Sequence, residues 1–423
     1  MSVQSVLKEL NFMPSREETV ALRAKVKEFV AALQKQVGKA QVFVGGSFAK
    51  GTLVKKEKYD VDVFVRFSGK GDFVGRLEKV VGLVAGKLSY SVTRLHGSRD
   101  YFEVAAGEGL VFEVVPVEKV ARPALAENVT DLSYFHVNWV AKALRADRNL
   151  GREIALAKTF TRAQGVYGAE SYIQGLSGYA LECLVIYYGS FEKMAKALVK
   201  VKKGERLVLD PAKLYRSKSE IGFALNEARQ EGPLVIVDPT WKERNAGAAL
   251  SFGAFEKLQA ALRAFLKRPS VNHFEKKGLN VEGLARLKGE LVALHLETDR
   301  QAGDIAGTKL KKFALFVESV LGQYFEVRRS EFVYSDEQSA DVYFVLEPRK
   351  EVLRRGPRVS MKDAVGAFQK ANSGSFERGG FWWVKEDFDR KGSAWLRNWL
   401  GNNKKLVGEM GLTKTSVREV TSA

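Results

Sequence analysis

The sequence predicts an α+β protein made of several domains, and three observations support this. Short segments of alternating polarity, typical of strands, occupy much of the first 120 residues, whereas helical periodicity dominates from residue 132. The last third mixes both patterns. The chain has 423 residues, 45% of them hydrophobic and 11% aromatic. It is therefore long enough for roughly two to four domains with cores of their own.

The first part of the chain, residues 1–137, is expected to pack helices on a sheet. Ser15 and Glu18 have the spacing of a capping box, and apolar residues then recur at helical spacing to about residue 36. A strand begins at Val42, and a second strand carries Asp60 and Asp62. The pattern then predicts a helix at 73–88 and strands at 90–95, 101–105 and 110–117.

The second part, residues 138–278, is predicted to be mainly helical, and Pro269 with the pair Lys276-Lys277 marks its end. The third part, residues 279–423, is expected to be mixed α/β. Helices are predicted at 135–144, 152–164, 177–188, 191–201, 246–265, 310–321, 361–371 and 393–400, and strands at 204–209, 233–237, 324–334, 340–346 and 381–384.

Three acidic residues are the candidate metal ligands. Residues two apart on a strand point to the same face, so Asp60 and Asp62 project together, where a hard divalent cation would relieve their repulsion. Glu113 lies among apolar neighbours on a later strand and offers a third carboxylate. Two alternatives stay open: an exposed hairpin strand whose acids face water, and a cross-strand salt bridge of Glu113 with, for example, Arg94.

The turn before this strand predicts a phosphate site. An apolar strand runs into Gly45-Gly46-Ser47, and glycine lets a backbone approach a ligand closely. If a short helix starts at Ser47, its free N–H groups and the serine hydroxyl would face a triphosphate. A phosphate cradle followed by paired metal-binding acids is a nucleotidyl-transfer arrangement.

The charge predicts a polyanionic partner. With 68 basic and 50 acidic residues, the formal net charge is +18, which favours RNA or DNA over a membrane. In the last third, basic residues interleave with aromatic ones, a composition suited to RNA backbone and end bases. The residues concerned are Arg349, Lys350, Arg354, Arg355, Arg358, Lys370, Arg378, Trp382 and Trp383.

Other classes of protein find no support in the residues. No run of about eighteen apolar residues predicts a transmembrane helix, and no secretory signal is visible at the N-terminus. Cys183, the single cysteine, lies in an apolar helical run and is expected in a core; low cysteine use favours a cytoplasmic location. The four histidines are scattered without the spacing of a zinc site.

Several segments resemble the archaeal-type (class I) CCA-adding enzymes, tRNA nucleotidyltransferases of the polymerase-β-like superfamily. GS with DxD is shared by many nucleotidyltransferases, whereas GVYGAE, GLSGY with YYGSF, and VDP followed by RNxxAxLS are narrower. The last third matches by its order of elements and by an Arg355-Gly356-Pro357 turn. The matching strings are GGSFAKGT, DVDVF, EVVP, HVNWV, KTFTRAQGVYGAE, GLSGYALECLVIYYGSF and VDPTWKERNAGAALS.

The resemblance implies roles for individual residues. Asp60, Asp62 and Glu113 take the places of the catalytic metal ligands, and Arg244 and Asn245 those of the base pocket, unless these two form a helix-start salt bridge. The implied nucleotide-binding residues are Gly46, Ser47, Lys50, His136, Lys158, Tyr167, Arg244 and Asn245.

Three features depart from the family's usual pattern. Position 50 is Lys where Arg is usual, which keeps the charge but loses the planar fork. Position 113 is Glu where Asp is usual. The spacing from His136 to Lys158 is a few residues longer than usual.

The implied activity is template-independent addition of C, C and A to the 3′ end of tRNA from CTP and ATP, with release of pyrophosphate and with two Mg²⁺ ions. Residues 1–137 would be the catalytic domain, 138–278 the nucleotide-selecting domain and 279–423 the tRNA-binding domain, holding the acceptor stem and 3′ end; the resemblance also suggests a homodimer. Two alternatives stay open: another RNA 3′-terminal nucleotidyltransferase of the poly(A) or oligoadenylate type, and a non-catalytic RNA-binding protein on a transferase scaffold.

Overall fold

The computed structural model describes residues 2–225 and 230–420, and the chain forms two compact units, Met1–Lys276 and Lys277–Ala423. The division falls at the lysine pair that the sequence marks as a boundary. A further division of the first unit near residue 137 stays a prediction. Both units combine helices with sheets, so the expectation of a multidomain α+β protein is confirmed.

A five-stranded sheet forms the first part of unit 1. Its strands are β1 (Gln41–Val44), β2 (Tyr59–Phe67), β3 (Ser91–Leu95), β4 (Tyr101–Ala105) and β5 (Leu110–Glu118). The spatial order is β1-β2-β5-β4-β3. Only β2 and β5 pair in parallel; β1–β2, β5–β4 and β4–β3 are antiparallel. The parallel pair places the starts of β2 and β5 side by side.

Helices cover one face of this sheet. The helices of this part of the chain are α1 (Val3–Glu9), α2 (Arg16–Gln36), α3 (Gly46–Lys50) and α4 (Phe73–Leu88); α2 and α4 pack on the sheet, whereas α1 packs in the core of the helical part that follows. The capping box of Ser15 and Glu18 is present at the start of α2, as predicted. Phe29 of α2 stacks on Phe112 of β5 with ring centroids 4.1 Å apart, and Val61 and Val63 are fully buried on this face. The opposite face carries Asp60, Asp62 and Glu113 together with a small apolar cluster that includes Phe64, Val115 and Val117.

The rest of unit 1 is mainly helical, as predicted. Its elements are α5 (Ser133–Ala146), α6 (Asn149–Ala163), α7 (Gly178–Tyr188), α8 (Phe191–Leu198), α9 (Lys218–Ala224), α10 (Phe252–Lys267), β6 (Leu207–Leu209), β7 (Leu234–Asp238) and β8 (Trp241–Asn245). Phe160, Phe191 and Phe265 share one core. Cys183 is fully buried in it, which confirms its predicted core position.

The predicted start of one helix in unit 1 is wrong. The sequence predicts a helix at 246–265, and the helix is present, but α10 begins at Phe252 with Ser251 as its cap. Arg244 and Asn245 lie on strand β8, where Asn245 pairs with Val237 of β7. The helix-start salt bridge considered for these two residues is therefore also wrong. Antiparallel pairing with a buried strand decides the conformation here, and local periodicity does not reveal such a partner.

Unit 2 contains two sheets. Its helices are α11 (Val281–Ala285), α12 (Asp304–Leu321), α13 (Lys362–Ala371), α14 (Gly392–Asn402) and α15 (Lys404–Glu409). Its strands are β9 (Glu290–Glu297), β10 (Phe325–Tyr334), β11 (Ser339–Pro348), β12 (Glu351–Arg358), β13 (Phe376–Arg378), β14 (Phe381–Asp387) and β15 (Lys414–Glu419). The sheet orders are β10-β11-β9-β15 and β12-β14-β13.

The predicted Arg355-Gly356-Pro357 turn is wrong, because these residues continue β12. The register with β14 shifts between Arg355 and Arg358, and a bulge of this kind accommodates a proline that cannot donate a ladder hydrogen bond. Within the described residues, none of the helices has both the length and the apolar composition that crossing a bilayer requires.

Candidate active site

The three predicted acids lie on one face of the first sheet. Asp60 and Asp62 alternate with buried residues along β2, and Asp62 is in register with Glu113 of the parallel strand β5. Because the strands run in parallel, both begin at the same edge of the sheet. The structure thus brings together the acids that the sequence places 51 and 53 positions apart. Arg94 pairs with Asp100 and Glu78, which does not support its proposed bridge to Glu113.

Electrostatic repulsion among these acids is relieved only in part by nearby lysines. Burial raises the pKa of Asp62, Lys50 opposes this shift, and Asp60 adds to it. Burial, together with Asp62 and Asp60, raises the pKa of Glu113 to about 7. The ammonium of Lys56 lies 2.7 Å from the Oδ2 atom of Asp60. Two of the three acids therefore sit where a carboxylate is disfavoured unless a cation compensates it.

Within residues 2–225 and 230–420, no three His, Cys, Asp or Glu side chains converge into a ready-made metal cluster. The donor set nevertheless suits a hard divalent cation, since it consists of carboxylate oxygens on adjacent strands, and burial raises the pKa of Asp62 and Glu113. Asp60 would have to turn from Lys56 to contribute. Assignment of the three acids as metal ligands stays a prediction.

The glycine turn lies directly against these acids. The N–H of Gly45 donates to the carbonyl oxygen of Asp62 at 2.8 Å, and α3 begins at Gly46, one residue before the predicted start at Ser47. Gly46 has φ +59°, and a Cβ there would lie 1.6 Å from Asp62 Oδ2. No side chain other than hydrogen fits at this position. The Ser47 carbonyl closes the turn by accepting from the N–H of Thr52 at 3.0 Å.

Lys50 and Lys158 meet at a buried carboxylate that the sequence did not single out. Glu182 of α7 accepts from Lys50 through Oε2 at 2.7 Å and from Lys158 through Oε1 at 2.8 Å. Lys158 also donates to the hydroxyl of Thr52 at 2.9 Å. Burial alone would raise the pKa of Glu182, but the two lysines lower it below its usual value. Glu182 is therefore ionised.

His136 and Arg244 meet at a second buried carboxylate. Oδ2 of Asp238 lies 3.0 Å from His136 Nε2 and accepts from Arg244 Nη1 at 2.7 Å. Oδ1 accepts from the hydroxyl of Tyr179 at 3.0 Å and from Thr240. Although burial opposes ionisation, the hydrogen bond with His136 and the charge of Arg244 hold the pKa of Asp238 well below its usual range.

Tyr179 of α7 links the two groups of residues. Its ring stacks on the imidazole of His136 at 3.8 Å between centroids. The ammonium of Lys50 lies 6.0 Å from the same ring. Tyr179 and Glu182 are three residues apart and so share one face of α7. This face therefore contacts residues from α3, α5, α6 and β7.

The other two predicted nucleotide residues are placed differently. Tyr167 is half-buried. The guanidinium of Arg162 lies over its ring, 4.4 Å from the centroid, and a Cβ at Gly178 would be 2.9 Å from its hydroxyl. Asn245 is buried, and its Oδ1 accepts from the N–H groups of Ile236 and Gly247 at 2.9 and 2.8 Å. Its amide therefore holds β7 and the chain after β8 together, while its predicted place in the base pocket stays a prediction.

The sequence contains a signal that could have identified Glu182 as a residue of the site. A single carboxylate in the apolar string GYALECLVIYY needs a partner when it is buried, which is the argument that identified Glu113. The partners of Glu182 lie 132 and 24 residues away. Their identity therefore depended on the tertiary structure.

Comparison with known families agrees with this architecture. Residues 24–122 match the nucleotidyltransferase domain, and residues 152–275 match the second domain of tRNA nucleotidyltransferase. The first match contains the acids and the glycine turn. The second contains Lys158, Tyr167, Glu182, Asp238 and Arg244.

Solved structures with a similar fold include a cytoplasmic RNA terminal U-transferase. It has a TM-score of 0.50 and 15% identity, over 66% of this chain and 98% of that one. A poly(U) polymerase has a TM-score of 0.51 and 15% identity, over 65% and 98%. Identities this low bear on the fold alone, and the predicted polymerase-β-like nucleotidyltransferase fold is confirmed.

Curated relatives are more similar in sequence. The CCA-adding enzyme of Nanoarchaeum equitans is 36% identical over 250 residues, covering 59% of this chain and only 61% of the relative. The CCA-adding enzyme of Pyrobaculum islandicum is 30% identical over 381 residues, 87% of this chain and 85% of the relative. That of Pyrobaculum aerophilum is 31% identical over 84% and 82%. The chain thus belongs to the CCA-adding enzymes, a family of tRNA nucleotidyltransferases.

Proposed function

We propose that this protein adds C, C and A to the 3′ end of tRNA, using CTP and ATP and releasing pyrophosphate. The observation that carries the proposal is the registered pair of Asp62 and Glu113 beside a glycine turn that excludes any side chain at Gly46. This arrangement offers carboxylates for a cation within reach of a backbone that can approach a triphosphate.

Magnesium fits the carboxylate face. Asp60, Asp62 and Glu113 would hold two ions, which matches the only partly relieved repulsion among these acids. Bound there, the metal supplies activation of the RNA 3′-hydroxyl and neutralisation of charge on the phosphates. The acids themselves would hold the ions in place, because parallel pairing fixes Asp62 and Glu113 next to each other.

The chain's own cations bind the triphosphate. Lys50 and Lys158 are presented by Glu182, and Ser47 lies on α3 next to Gly46. His136 and Arg244 are held by Asp238. A guanidinium fixed in this way can offer paired hydrogen bonds to a base edge. We infer that Arg244 contributes to the choice of CTP and ATP, with Tyr179 closing the space between base and phosphates.

The basic charge supplies the affinity for tRNA. Proteins recognise RNA helices mostly through contacts with the phosphate backbone and through the shape of the helix. The net charge of +18 favours contacts with phosphates. Residues 279–423 are proposed to bind the acceptor stem and 138–278 to select the nucleotide. The homodimer and the cytoplasmic location stay predictions.

Incorporation assays test the proposal. Radiolabelled CTP and ATP are offered separately and together to tRNA that lacks its terminal CCA. Addition limited to C, C and A supports the proposal, whereas a long A tail supports a poly(A)-type enzyme. Absence of any addition supports a non-catalytic RNA-binding protein.

The variant Asp60→Ala provides the matched test of the site. We expect it to lose incorporation while binding tRNA as the wild type does, because Asp60 lies on the sheet face that holds the metal. Incorporation at the wild-type rate by the purified variant would contradict the assignment of the metal site.

A further inference from the structure

Glu182 is a buried acid. The nucleotidyl-transfer reaction does not by itself require a carboxylate at this position. Its side chain is 1% exposed, and it is the only charged residue of α7. Both of its oxygens are occupied by ammonium groups, one from α3 and one from α6, at 2.7 and 2.8 Å. The contact thus ties three separate elements to one carboxylate.

The charges in this group do not balance. One carboxylate would neutralise one lysine, yet two lysines converge on it, and Lys158 is itself only 2% exposed. Burial lowers the pKa of Lys158, and the attraction of Glu182 opposes that effect. Counted by themselves, the three side chains carry one ammonium more than carboxylates, although Lys50 also attracts Asp62. An anion that approaches the two lysines would therefore be attracted to them.

Hydrogen-bond donors are also left over. An ammonium group carries three N–H donors. Lys158 uses one on Glu182 and one on Thr52, and Lys50 uses one on Glu182. Within the described part of the chain, neither lysine has another hydrogen-bonded partner. The remaining donors are available to a further acceptor.

We propose that Glu182 is a positioning residue for triphosphate binding: it holds the ammonium groups of Lys50 and Lys158 together and leaves their remaining donors to the phosphates. The inference rests on the proposed function, because it takes these two lysines as the triphosphate contacts. Lysine lacks the planar fork that orients an arginine. The hydrogen bonds to Glu182 orient the two lysine ammonium groups instead.

Equilibrium binding without tRNA tests this role. We expect Glu182→Gln to weaken binding of CTP and of inorganic tripolyphosphate by the same factor, about tenfold. The second probe has no base, so an equal loss locates the effect at the phosphates. In steady-state assays the KM for CTP should rise more than kcat falls. Glu182→Asp, which keeps the charge, should recover part of the affinity.

Glu153→Gln is the matched control. Glu153 lies on α6 in the same helical layer, and it accepts from the N–H of Phe191 at 2.8 Å without touching either lysine. We expect its CTP affinity to stay within about twofold of wild type. The double variant Glu182→Gln with Lys158→Met should lose less CTP affinity than the sum of the two single losses, since part of the effect of Glu182 passes through Lys158 and the rest through Lys50.

The outcomes separate the two proposals. Wild-type affinity in a folded Glu182→Gln protein, or additive losses in the double variant, would overturn the role of Glu182. If Glu182→Gln does not fold, Glu182→Asp replaces it: the shorter side chain cannot reach both lysines at once, so we expect a loss of about threefold, and wild-type affinity is the contrary result. If the wild type binds CTP but adds no nucleotide, only the proposed function fails; if it binds neither probe, both fail.

Discussion

At the scale of single residues, the direction of the pKa shifts distinguishes two kinds of buried acid. Asp62 and Glu113 have raised pKa values because burial and mutual repulsion disfavour their charge. Glu182 and Asp238 are at least as buried, but cations from other elements lower their pKa values. Within the described residues no cation forms an ion pair with Asp62 or Glu113, and Lys50 only partly offsets the shift of Asp62, whereas Glu182 and Asp238 each have an ion pair. This contrast separates acids that would receive a metal from acids that hold side chains in place.

Replacement of Asp62 by asparagine should increase stability and remove activity. The raised pKa means that the folded protein disfavours the charged form at pH 7, so a neutral side chain of the same shape relieves repulsion from Asp60 and Glu113. We expect the Tm of Asp62→Asn, measured without divalent metal, to rise by a few degrees, and CMP incorporation to disappear. A lower Tm with normal incorporation would contradict this account of the site.

Glu113→Gln addresses the acid that departs from the family's usual aspartate. The change keeps the side-chain length but removes the charge that would hold a cation opposite Asp62. We expect the rate of CTP incorporation to fall by about two orders of magnitude or more, with tRNA affinity unchanged by filter binding. A rate near that of the wild type would place the third ligand elsewhere.

At the scale of elements, the turn from β1 into α3 depends on a close approach of backbone to side chain. Gly46 and Gly51 both have positive φ, +59° and +67°, and lie at the two ends of α3. A Cβ at Gly46 would overlap Asp62, whereas a Cβ at Gly51 would meet nothing within 4 Å. Substitutions at the two glycines therefore distinguish the effect of backbone strain from that of steric exclusion.

The comparison of Gly46→Ala with Gly51→Ala uses this difference. Both variants should lose about 1 kcal/mol of stability from the left-handed conformation. Only Gly46→Ala should also lose incorporation, because its methyl group displaces the carboxylate of Asp62. Equal activity of the two variants in primer-extension assays would show that the approach of Gly46 to Asp62 is not required.

The hairpin of β7 and β8 should be sensitive to acid through Asp238. Its lowered pKa stabilises the folded state above the ordinary aspartate value of 3.8, and this stabilisation is lost as the pH falls below that value toward the pKa in the folded state. We expect Asp238→Asn to be less stable than wild type by about 2 kcal/mol at pH 7. In urea unfolding at several pH values, the difference should shrink below about pH 4; a difference independent of pH would contradict the ion pairs.

At the scale of the whole molecule, the excess of basic residues is the property that the proposed tRNA partner uses. Many of these residues are already paired in unit 2, as Arg328 is with Glu347 at 2.6 Å. Arg355 instead lies over the ring of Phe381, 4.3 Å from its centroid, and no carboxylate pairs with it within residues 2–225 and 230–420. Arg355 is therefore a better candidate for a phosphate contact than Arg328.

Arg355→Ala and Arg328→Ala test this distinction. Loss of one phosphate contact should weaken tRNA binding by about threefold to tenfold and reduce the slope of log affinity against log salt by about one. We expect both the weaker tRNA binding and the smaller salt dependence for Arg355→Ala, and little change in either for Arg328→Ala. Filter binding from 50 to 200 mM salt measures both quantities. Equal effects of the two variants would mean that net charge alone sets the affinity.

The sequence by itself determined the features that depend on neighbouring residues. The capping box at Ser15, the shared face of Asp60 and Asp62, and most helices follow from spacing within a few residues, because hydrogen bonds and side-chain direction repeat at short range. The expectation that a third acid would stand on an adjacent strand also followed, since a lone buried carboxylate needs a partner.

Only the tertiary structure decided the features that depend on distant partners. Arg244 lies on a strand because β7 pairs with it, and residues 355–357 stay in β12 because β14 accommodates a shift in register. Glu182 gathers two lysines from 24 and 132 residues away. A buried charge requires a partner of opposite sign, but which residue supplies it is decided by the packing of the elements, and no local pattern contains that information.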